Sequence, residues 1–119
     1  MSVTTNIKFK MQKEMSYYFE ELKELVKEHR NDVKIYSVVC DTELSSLFLE
    51  KKDIITFAIY SEYAIEFESL KELFRTSKSD GSIIVTDANE MQRTMSRLED
   101  GIVVKHEIEQ MTIDELLPF

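Results

Sequence analysis

The chain has 119 residues, the size of one ordinary domain, with 43% hydrophobic and 32% charged residues and a net charge of −8. This balance is typical of a globular domain and excludes an intrinsically disordered chain. No apolar run approaches the roughly 20 residues that span a bilayer, and the N-terminus lacks the basic and apolar regions of a secretory signal. The sequence therefore predicts a cytoplasmic protein without a membrane partner.

The residue types that carry most enzyme and metal chemistry are scarce. Cys40 is the single cysteine, which excludes an internal disulfide and a cysteine-based zinc cluster. His29 and His106 stand in no metal-ligand spacing, and two glycines in the whole chain cannot form the common glycine-rich phosphate loops. We expect no catalytic residues, no metal and no cofactor, so the chain is not predicted to be an enzyme.

The negative charge is concentrated toward the C-terminus. Residues 1–80 carry twelve Lys and Arg against fifteen Asp and Glu, whereas residues 81–119 carry three against eight. Because binding to phosphates needs local rather than total positive charge, a segregated charge distribution leaves room for a mildly basic face.

The first half of the chain alternates between strand and helix periodicity. Residues 2–11 alternate apolar and polar side chains, which predicts a half-buried strand. Residues 13–30 carry an apolar stripe of helical period and predict an amphipathic helix. The β-branched run at 33–40 predicts a second strand, and a short helix fits residues 42–50.

The centre of the chain is rich in short apolar runs. Residues 54–60 and 63–68 predict two strands, joined without the glycine that a tight hairpin prefers. Capping spacing at the start of residues 69–76 predicts a short helix. The segment 77–82, "SKSDGS", is the strongest loop signal in the chain.

The last third completes the fold prediction. Residues 83–86 predict a strand, and capping spacing at Asp87 predicts a helix that reaches about Leu98. A final strand follows at 102–109. Strands dominate and helices interrupt them, so we predict an α+β, mainly β domain built on a twisted antiparallel sheet or a small barrel.

The chain ends in an unusual segment, "DELLPF". Acids ahead of an apolar, proline-stiffened end with a free carboxylate form a compact recognition peptide. We therefore divide the chain into a domain at 1–109 and a C-terminal tip at 110–119. The predicted partner-binding residues of the tip are Asp114, Glu115, Leu117, Pro118 and Phe119.

Two alternatives apply to the same tip. Its apolar residues can instead fold back onto the domain as a last helical turn, since Thr112 and Glu115 have capping spacing. The segment that starts at Gln110 also faintly resembles peptides that bind sliding clamps, although the aromatic pair of those peptides is missing.

The acidic tip ending in Leu-Pro-Phe resembles the C-terminal tip of bacterial single-stranded DNA-binding proteins. The compact chain is most similar to the small members of that family from bacteriophages, including lactococcal phages. The resemblance implies an OB-fold-like barrel that binds single-stranded DNA and works as a homodimer or larger oligomer. It also implies a tip that recruits replication and recombination proteins, in the host cytoplasm if the protein is phage-encoded.

Single-stranded DNA binding needs cations along a groove and aromatic rings on which bases stack. The polar strand faces and the loops supply candidates of both kinds, and each of them can equally be an ordinary surface or packing residue. The predicted DNA-binding residues are Lys8, Lys10, Lys34, Tyr36, Lys51, Lys52, Tyr60, Tyr63, Arg75 and Lys78. The alternative function is an acidic protein-binding module without DNA binding, such as a phage inhibitor or an immunity or antitoxin-like protein.

Overall fold

The computed structural model describes residues 3–27, 34–39 and 54–112, and this part of the chain forms six strands and two helices. The strands are β1 Val3–Lys10, β2 Lys34–Val39, β3 Ile54–Ser61, β4 Asp80–Asp87, β5 Gln92–Glu99 and β6 Ile102–Gln110. The helices are α1 Met15–Val26 and α2 Phe67–Ser77. The predicted α+β, mainly β class is confirmed.

The six strands form one antiparallel sheet in the order β2-β3-β1-β4-β5-β6. β1 lies inside the sheet and pairs with β3 and β4 along its whole length. The pairings of the described strands give an open sheet whose edges are β2 and β6. The finer expectation of an OB-type barrel is not confirmed by these pairings.

The core lies on one side of the sheet, where the two helices pack. Alternate residues of β1 are buried there, and Phe9 is fully buried. The Phe9 ring lies 4.7 Å from that of Tyr18 on α1, 4.4 Å from that of Phe74 on α2 and 6.1 Å from that of Phe57 on β3. This aromatic cluster joins both helices to the sheet, and we call this side the helix-covered face.

A buried hydroxyl network fixes the helices relative to each other. The Tyr18 hydroxyl accepts hydrogen bonds from the amides of Gln12 at 2.7 Å and Lys13 at 3.2 Å. It also shares a hydrogen bond of 2.7 Å with Ser79 Oγ, which lies 2.9 Å from Ser77 Oγ. The start of α1 is thereby bonded to the segment that follows α2.

Two positions at the junction of α2 and β4 restrict the residue that can occupy them, Lys78 by its backbone conformation and Gly81 by its close neighbours. Lys78 ends α2 in the left-handed region with a φ of 55°. At Gly81, an added Cβ would lie 1.8 Å from the Lys8 carbonyl oxygen and 2.7 Å from the Phe74 ring. Only glycine therefore lets β1 and α2 lie this close to β4. Because β4 already begins at Asp80, the predicted 77–82 loop is wrong for its second half.

The predicted strand at 63–68 is wrong, because α2 already begins at Phe67. Residues 62–66 connect β3 to α2 without forming a strand. The alternation of "YAIEFE" suggested a strand, but Ile65, Leu70 and Phe74 are buried together on the helix-covered face. Tertiary packing of this helical stripe overrides the local alternation.

The predicted helix that starts at Asp87 is also wrong, since residues 88–91 form a turn and β5 follows. The Asp87 carboxylate accepts hydrogen bonds from the amides of Asn89 at 2.9 Å and Glu90 at 3.2 Å. A helix cap and an Asx turn use the same contacts, so the capping spacing did not distinguish them. Met91, with a φ of 49°, then leads the chain into β5.

The remaining elements agree with their predictions within a few residues. The predictions at 2–11, 13–30, 33–40, 54–60, 69–76, 83–86 and 102–109 correspond to β1, α1, β2, β3, α2, β4 and β6. The "DG" turn before β6 has positive φ at both Asp100 and Gly101, as a two-residue hairpin turn requires. The helix predicted at 42–50 lies outside the described residues.

The chain leaves the sheet at the end of β6. Met111 is buried and its amide donates to the Met91 carbonyl at 2.8 Å. Residues 113–119, which hold every predicted partner-binding residue of the tip, lie outside the described part. Neither described helix is long and apolar enough to cross a membrane.

Candidate nucleic-acid interface

The side of the sheet opposite the helices, which we call the open face, bears the polar residues of β1. Thr4, Asn6, Lys8 and Lys10 alternate with the buried residues of that strand, and both lysines are exposed. In an antiparallel sheet, directly paired residues point to the same side. The register therefore identifies the neighbours of these residues on the open face.

Cations line up across the open face in one row of paired residues. Lys8 pairs with Ser82 of β4, Ser82 with Arg97 of β5, and Arg97 with Lys105 of β6. Neighbouring strands lie about 4.8 Å apart, so this row covers about 14 Å. Arg97 and Lys105 are exposed like Lys8. We call Lys8, Arg97 and Lys105 the cation row.

An apolar band runs beside the cation row. Asn6 pairs with Ala58 of β3 and Ile84 of β4, and Ile84 pairs with Met95 of β5. Ala58, Ile84 and Met95 are all partly exposed. The next row, toward the start of β1, holds Tyr60 opposite Thr4. Among the described side chains, the open face thus combines cations, an apolar strip and the ring of Tyr60.

The cations of the open face differ in how far nearby carboxylates neutralise them. Arg97 is 3.5 Å from Glu99, and Lys105 is 3.2 Å from Glu107. No carboxylate of the described residues lies within ion-pair distance of Lys8 or Lys10. Because exposed ion pairs are weak, the pairs on β5 and β6 can open when a phosphate approaches.

Arg93 also lies on the open face but is held more firmly. It pairs with Glu109 across the β5–β6 ladder, with a nitrogen–oxygen distance of 3.2 Å. Its Nε is buried and has no hydrogen-bond partner among the described residues. At this end of the open face, the positive charge of Arg93 is therefore largely neutralised by Glu109.

The open face gathers part of the predicted DNA-binding set. Lys8, Lys10 and Tyr60 lie on it. On β2, Lys34 is the register partner of Tyr60, and Tyr36 is the register partner of Ala58. These five positions belong to three adjacent strands. Lys51 and Lys52 lie outside the described residues.

The other predicted residues are not brought to the open face. Arg75 lies on α2, on the opposite side of the sheet, and hydrogen-bonds through Nε to Glu72 at 3.0 Å. Lys78 ends the same helix, and Tyr63 lies in the connection after β3 with 61% of its surface exposed. A single strand on the open face would not reach Arg75.

Sequence reasoning missed the cations of β5 and β6. Arg93 and Arg97 fell within the predicted helix, where a spacing of four residues does not indicate a shared sheet face. Lys105 was not among the predicted DNA-binding residues. The signal was present in "QRTMSRLE". In this segment Gln92, Thr94 and Ser96 alternate with the longer side chains of Arg93, Met95 and Arg97, which is the period of a strand. Read as a strand, this segment places Arg93, Met95 and Arg97 on one side.

Acidic residues line a groove in the helix layer, although Glu24, Glu68 and Glu72 are each ion-paired with a nearby Lys or Arg outside the groove lining. The groove, of about 470 Å³, lies between α1 and α2, and no cation is among its lining residues. Its acidic lining residues are Glu21, Glu24, Glu66, Glu68 and Glu72. Burial, followed by the charge of Glu21, raises the pKa of Tyr17 beside it. Among the described residues, no cluster of His, Cys, Asp or Glu is suited to hold a metal ion.

Comparison with known proteins adds no relative. No protein-family model, curated protein or solved structure matches the chain. The open face and the C-terminal tip are therefore the features on which a functional proposal depends.

Proposed function

We propose that the protein binds single-stranded nucleic acid on its open face and recruits a second protein through its C-terminal tip. The observation that carries the proposal is the cation row beside the apolar band. A single strand presents phosphates on one side and base surfaces on the other, which suits this arrangement. The proposal needs a basic face with accessible apolar surface, and does not depend on an OB-type barrel.

The charge distribution supports a role for the open face despite the net charge of −8. Acidic residues line the groove between the helices, whereas Lys8, Lys10, Arg97 and Lys105 lie on the opposite side of the sheet. The open-face cations outnumber the carboxylates beside them only slightly, because Arg93, Arg97 and Lys105 pair with Glu109, Glu99 and Glu107, and Asp80 lies opposite Lys10. This uneven charge favours approach of a polyanion to the open face over the acidic groove, and the preference orients the nucleic acid.

Sequence-independent recognition is the mode that this surface favours. Its cations suit phosphate contacts, and Tyr60 offers a ring for stacking, whereas a duplex buries its base surfaces. We expect affinity for single strands to exceed that for duplexes and to fall as salt rises.

The test is fluorescence anisotropy with oligo-dT and with a duplex of equal length, each at two salt concentrations. We expect tighter binding of the single strand and a marked weakening in the higher salt. The variant Lys8→Glu/Lys10→Glu should weaken single-strand binding by more than tenfold, because it replaces two exposed cations with acids, one of them opposite Asp80. Absence of single-strand binding at micromolar protein would overturn the proposal.

A matched control comes from the helix layer. Lys23→Glu changes the net charge by the same amount per residue, and Lys23 is an exposed α1 side chain near Glu20. If this variant weakens binding as much as a reversal at Lys8, then overall charge and not the open face controls the interaction.

The tip is tested separately. Removal of residues 114–119 should leave single-strand binding intact or slightly stronger and abolish capture of replication and recombination proteins. The control is a chain that ends in the same residues in scrambled order, which keeps length and charge. Loss of folding on removal would instead show that the tip packs against the domain, as its alternative interpretation holds.

The second candidate function, an acidic protein-binding module, is favoured by the groove between α1 and α2. Its acidic lining suits a basic protein partner. Replacement of Glu21 and Glu68 by Gln should weaken such a partner and leave oligo-dT binding unchanged or stronger. A chain that binds no nucleic acid but loses a partner on these changes would be a protein-binding module.

A further inference from the structure

The edge strand β6 leaves an unusual amount of apolar surface exposed. It has nine residues and pairs with β5 on one side only in the described sheet. Five large apolar side chains are exposed in the described part, and three of them lie on β6. These three are Ile102 at 66%, Val104 at 48% and Ile108 at 59%. A long edge with such side chains is a surface to which another strand can add.

The sequence of β6 is complementary to itself when run antiparallel. If a two-fold axis passes through His106, Lys105 of each copy lies opposite the partner's Glu107. Val104 lies opposite the partner's Ile108, although Val104 is the extra residue where the β5–β6 register shifts, since Arg97 pairs with Lys105 and Leu98 with Val103. Opposite charges and apolar pairs directly across an antiparallel ladder are both stabilising. The single register thus matches the charges within the regular part of the strand, which starts at Lys105, and an apolar pair at the bulge.

Neighbouring registers lack this match. An axis through Lys105 places two lysines opposite each other, and an axis through Glu107 places two glutamates opposite each other. An axis through Ile108 sets Glu107 against the partner's Glu109, which is again a pair of like charges. An axis through Val104 leaves every charge without an opposite charge. Charge therefore selects the axis through His106.

The contacts of the single chain are compatible with this arrangement. Lys105 and Glu107 already lie 3.2 Å apart in one chain, on the open face. Pairing of two copies would surround each lysine with two glutamates instead of one. His106 is bonded to Ser96 of β5 at 2.8 Å, which keeps its ring against its own sheet.

We infer that two copies of this chain pair through β6 in the antiparallel register centred on His106. The product is a two-fold symmetric dimer in which the two described six-stranded sheets join into one, so that each open face continues into the other. The inference rests on β6 alone and holds whether or not the open face binds nucleic acid. The strand that adds to β6 is the β6 of a second copy, because the charges of β6 are complementary to themselves in the antiparallel register.

Charge exchange tests the pairing by sedimentation velocity over a concentration series. Lys105→Glu alone and Glu107→Lys alone each turn two attractive pairs into repulsive ones, and should weaken dimerisation about 10- to 100-fold. The double variant Lys105→Glu/Glu107→Lys restores opposite charges across the axis, so it should dimerise like the original chain. Lys23→Glu and Glu90→Lys are the matched charge controls and should not change the dimer.

Cysteine cross-linking tests the register. Directly opposite residues have Cβ atoms about 4.5–5.5 Å apart, close to the spacing of a disulfide. In a Cys40→Ser background, His106→Cys should therefore form a covalent dimer on mild oxidation. Ile108→Cys should not, because its two copies are offset by four residues, about 13 Å along the strands.

Three outcomes would overturn the inference. One is a chain that stays monomeric up to high micromolar concentration. The second is a dimer that is insensitive to both single charge reversals. The third is a dimer in which residue 108 cross-links and residue 106 does not, since that result requires another register or another surface.

Discussion

The two faces of the sheet are built from the same strands but follow different rules. On the helix-covered face, Phe9 is fully buried and contacts aromatic rings from both helices. On the open face, its neighbours Lys8 and Lys10 are exposed and have no described carboxylate within ion-pair distance. Adjacent residues of β1 therefore alternate between the core and a candidate binding surface.

The difference indicates that the residues that stabilise the fold and the candidate binding residues lie on opposite faces of the sheet. Burial of apolar area and the hydroxyl network of Tyr18, Ser77 and Ser79 hold the helix-covered face together. The open face contributes little to the core, so its residues are free to be selected for binding. Substitutions on the two faces should accordingly affect different measurements.

The largest expected effect is on the helix-covered face. Phe9→Ala should lower the free energy of unfolding by about 3–5 kcal/mol, because it leaves a cavity between two helices and the sheet. Chemical denaturation monitored by circular dichroism measures the loss. Lys8→Ala, on the adjacent residue, is the control and should change stability by less than about 0.5 kcal/mol. Similar losses for both variants would mean that the open face is also part of the core.

Removal of one buried hydroxyl should have the next largest effect. Tyr18→Phe keeps the ring but leaves the amides of Gln12 and Lys13 and the hydroxyl of Ser79 short of a partner. We expect a loss of about 1–3 kcal/mol in the same denaturation experiment. Tyr63→Phe, on an exposed tyrosine, should leave stability unchanged. Equal stability of Tyr18→Phe and the original chain would show that this network does not stabilise the fold.

On the open face, the aromatic ring should matter for binding instead of folding. Tyr60→Ala should weaken oligo-dT binding by about 1–3 kcal/mol if a base stacks on the ring, whereas Tyr60→Phe should retain most of the affinity. Anisotropy titration measures both. Tyr63→Ala is the matched comparison on a tyrosine outside the paired strands. A Tyr60→Ala variant with normal affinity would limit the open face to phosphate contacts.

The smallest expected effect is on the outer surface of the helix layer. The hydrogen bond from Arg75 lowers the pKa of Glu72, so the folded state favours the charged carboxylate. This contribution is present above the unfolded pKa of about 4.3 and is lost as pH falls through the lower folded pKa. Glu72→Gln should therefore melt slightly below the original chain at pH 7 and together with it at strongly acidic pH. A difference that grows on acidification would contradict this sign.

Local sequence patterns predicted the secondary structure correctly where a segment showed a single periodicity. The alternation of β1 identified both its buried residues and the exposed Lys8 and Lys10. The apolar run at 102–109 likewise identified β6. Patterns failed where two structures share one signal. Asp87 closes a turn with the same hydrogen bonds that would cap a helix.

The candidate site was only partly predictable for the same reason. Lys8, Lys10 and Tyr60 were identified on their strands, but Arg97 and Lys105 join them only through strand pairing. Arg75 was a reasonable loop-side candidate in sequence, yet α2 carries it to the other side of the sheet. A linear pattern gives the direction of a side chain along its own element, and cannot give the neighbour across the sheet.

By itself, the sequence determined the α+β, mainly β class, the alternation of the first strand, the segregation of charge and the apolar, acidic tip. These properties follow from composition and short-range periodicity, which act within a few residues. The tertiary structure decided the strand order, the cation row, the apolar band beside it and the exposure of β6. Those features arise from contacts between distant segments, where burial of the common core selects one arrangement among many that local preference allows.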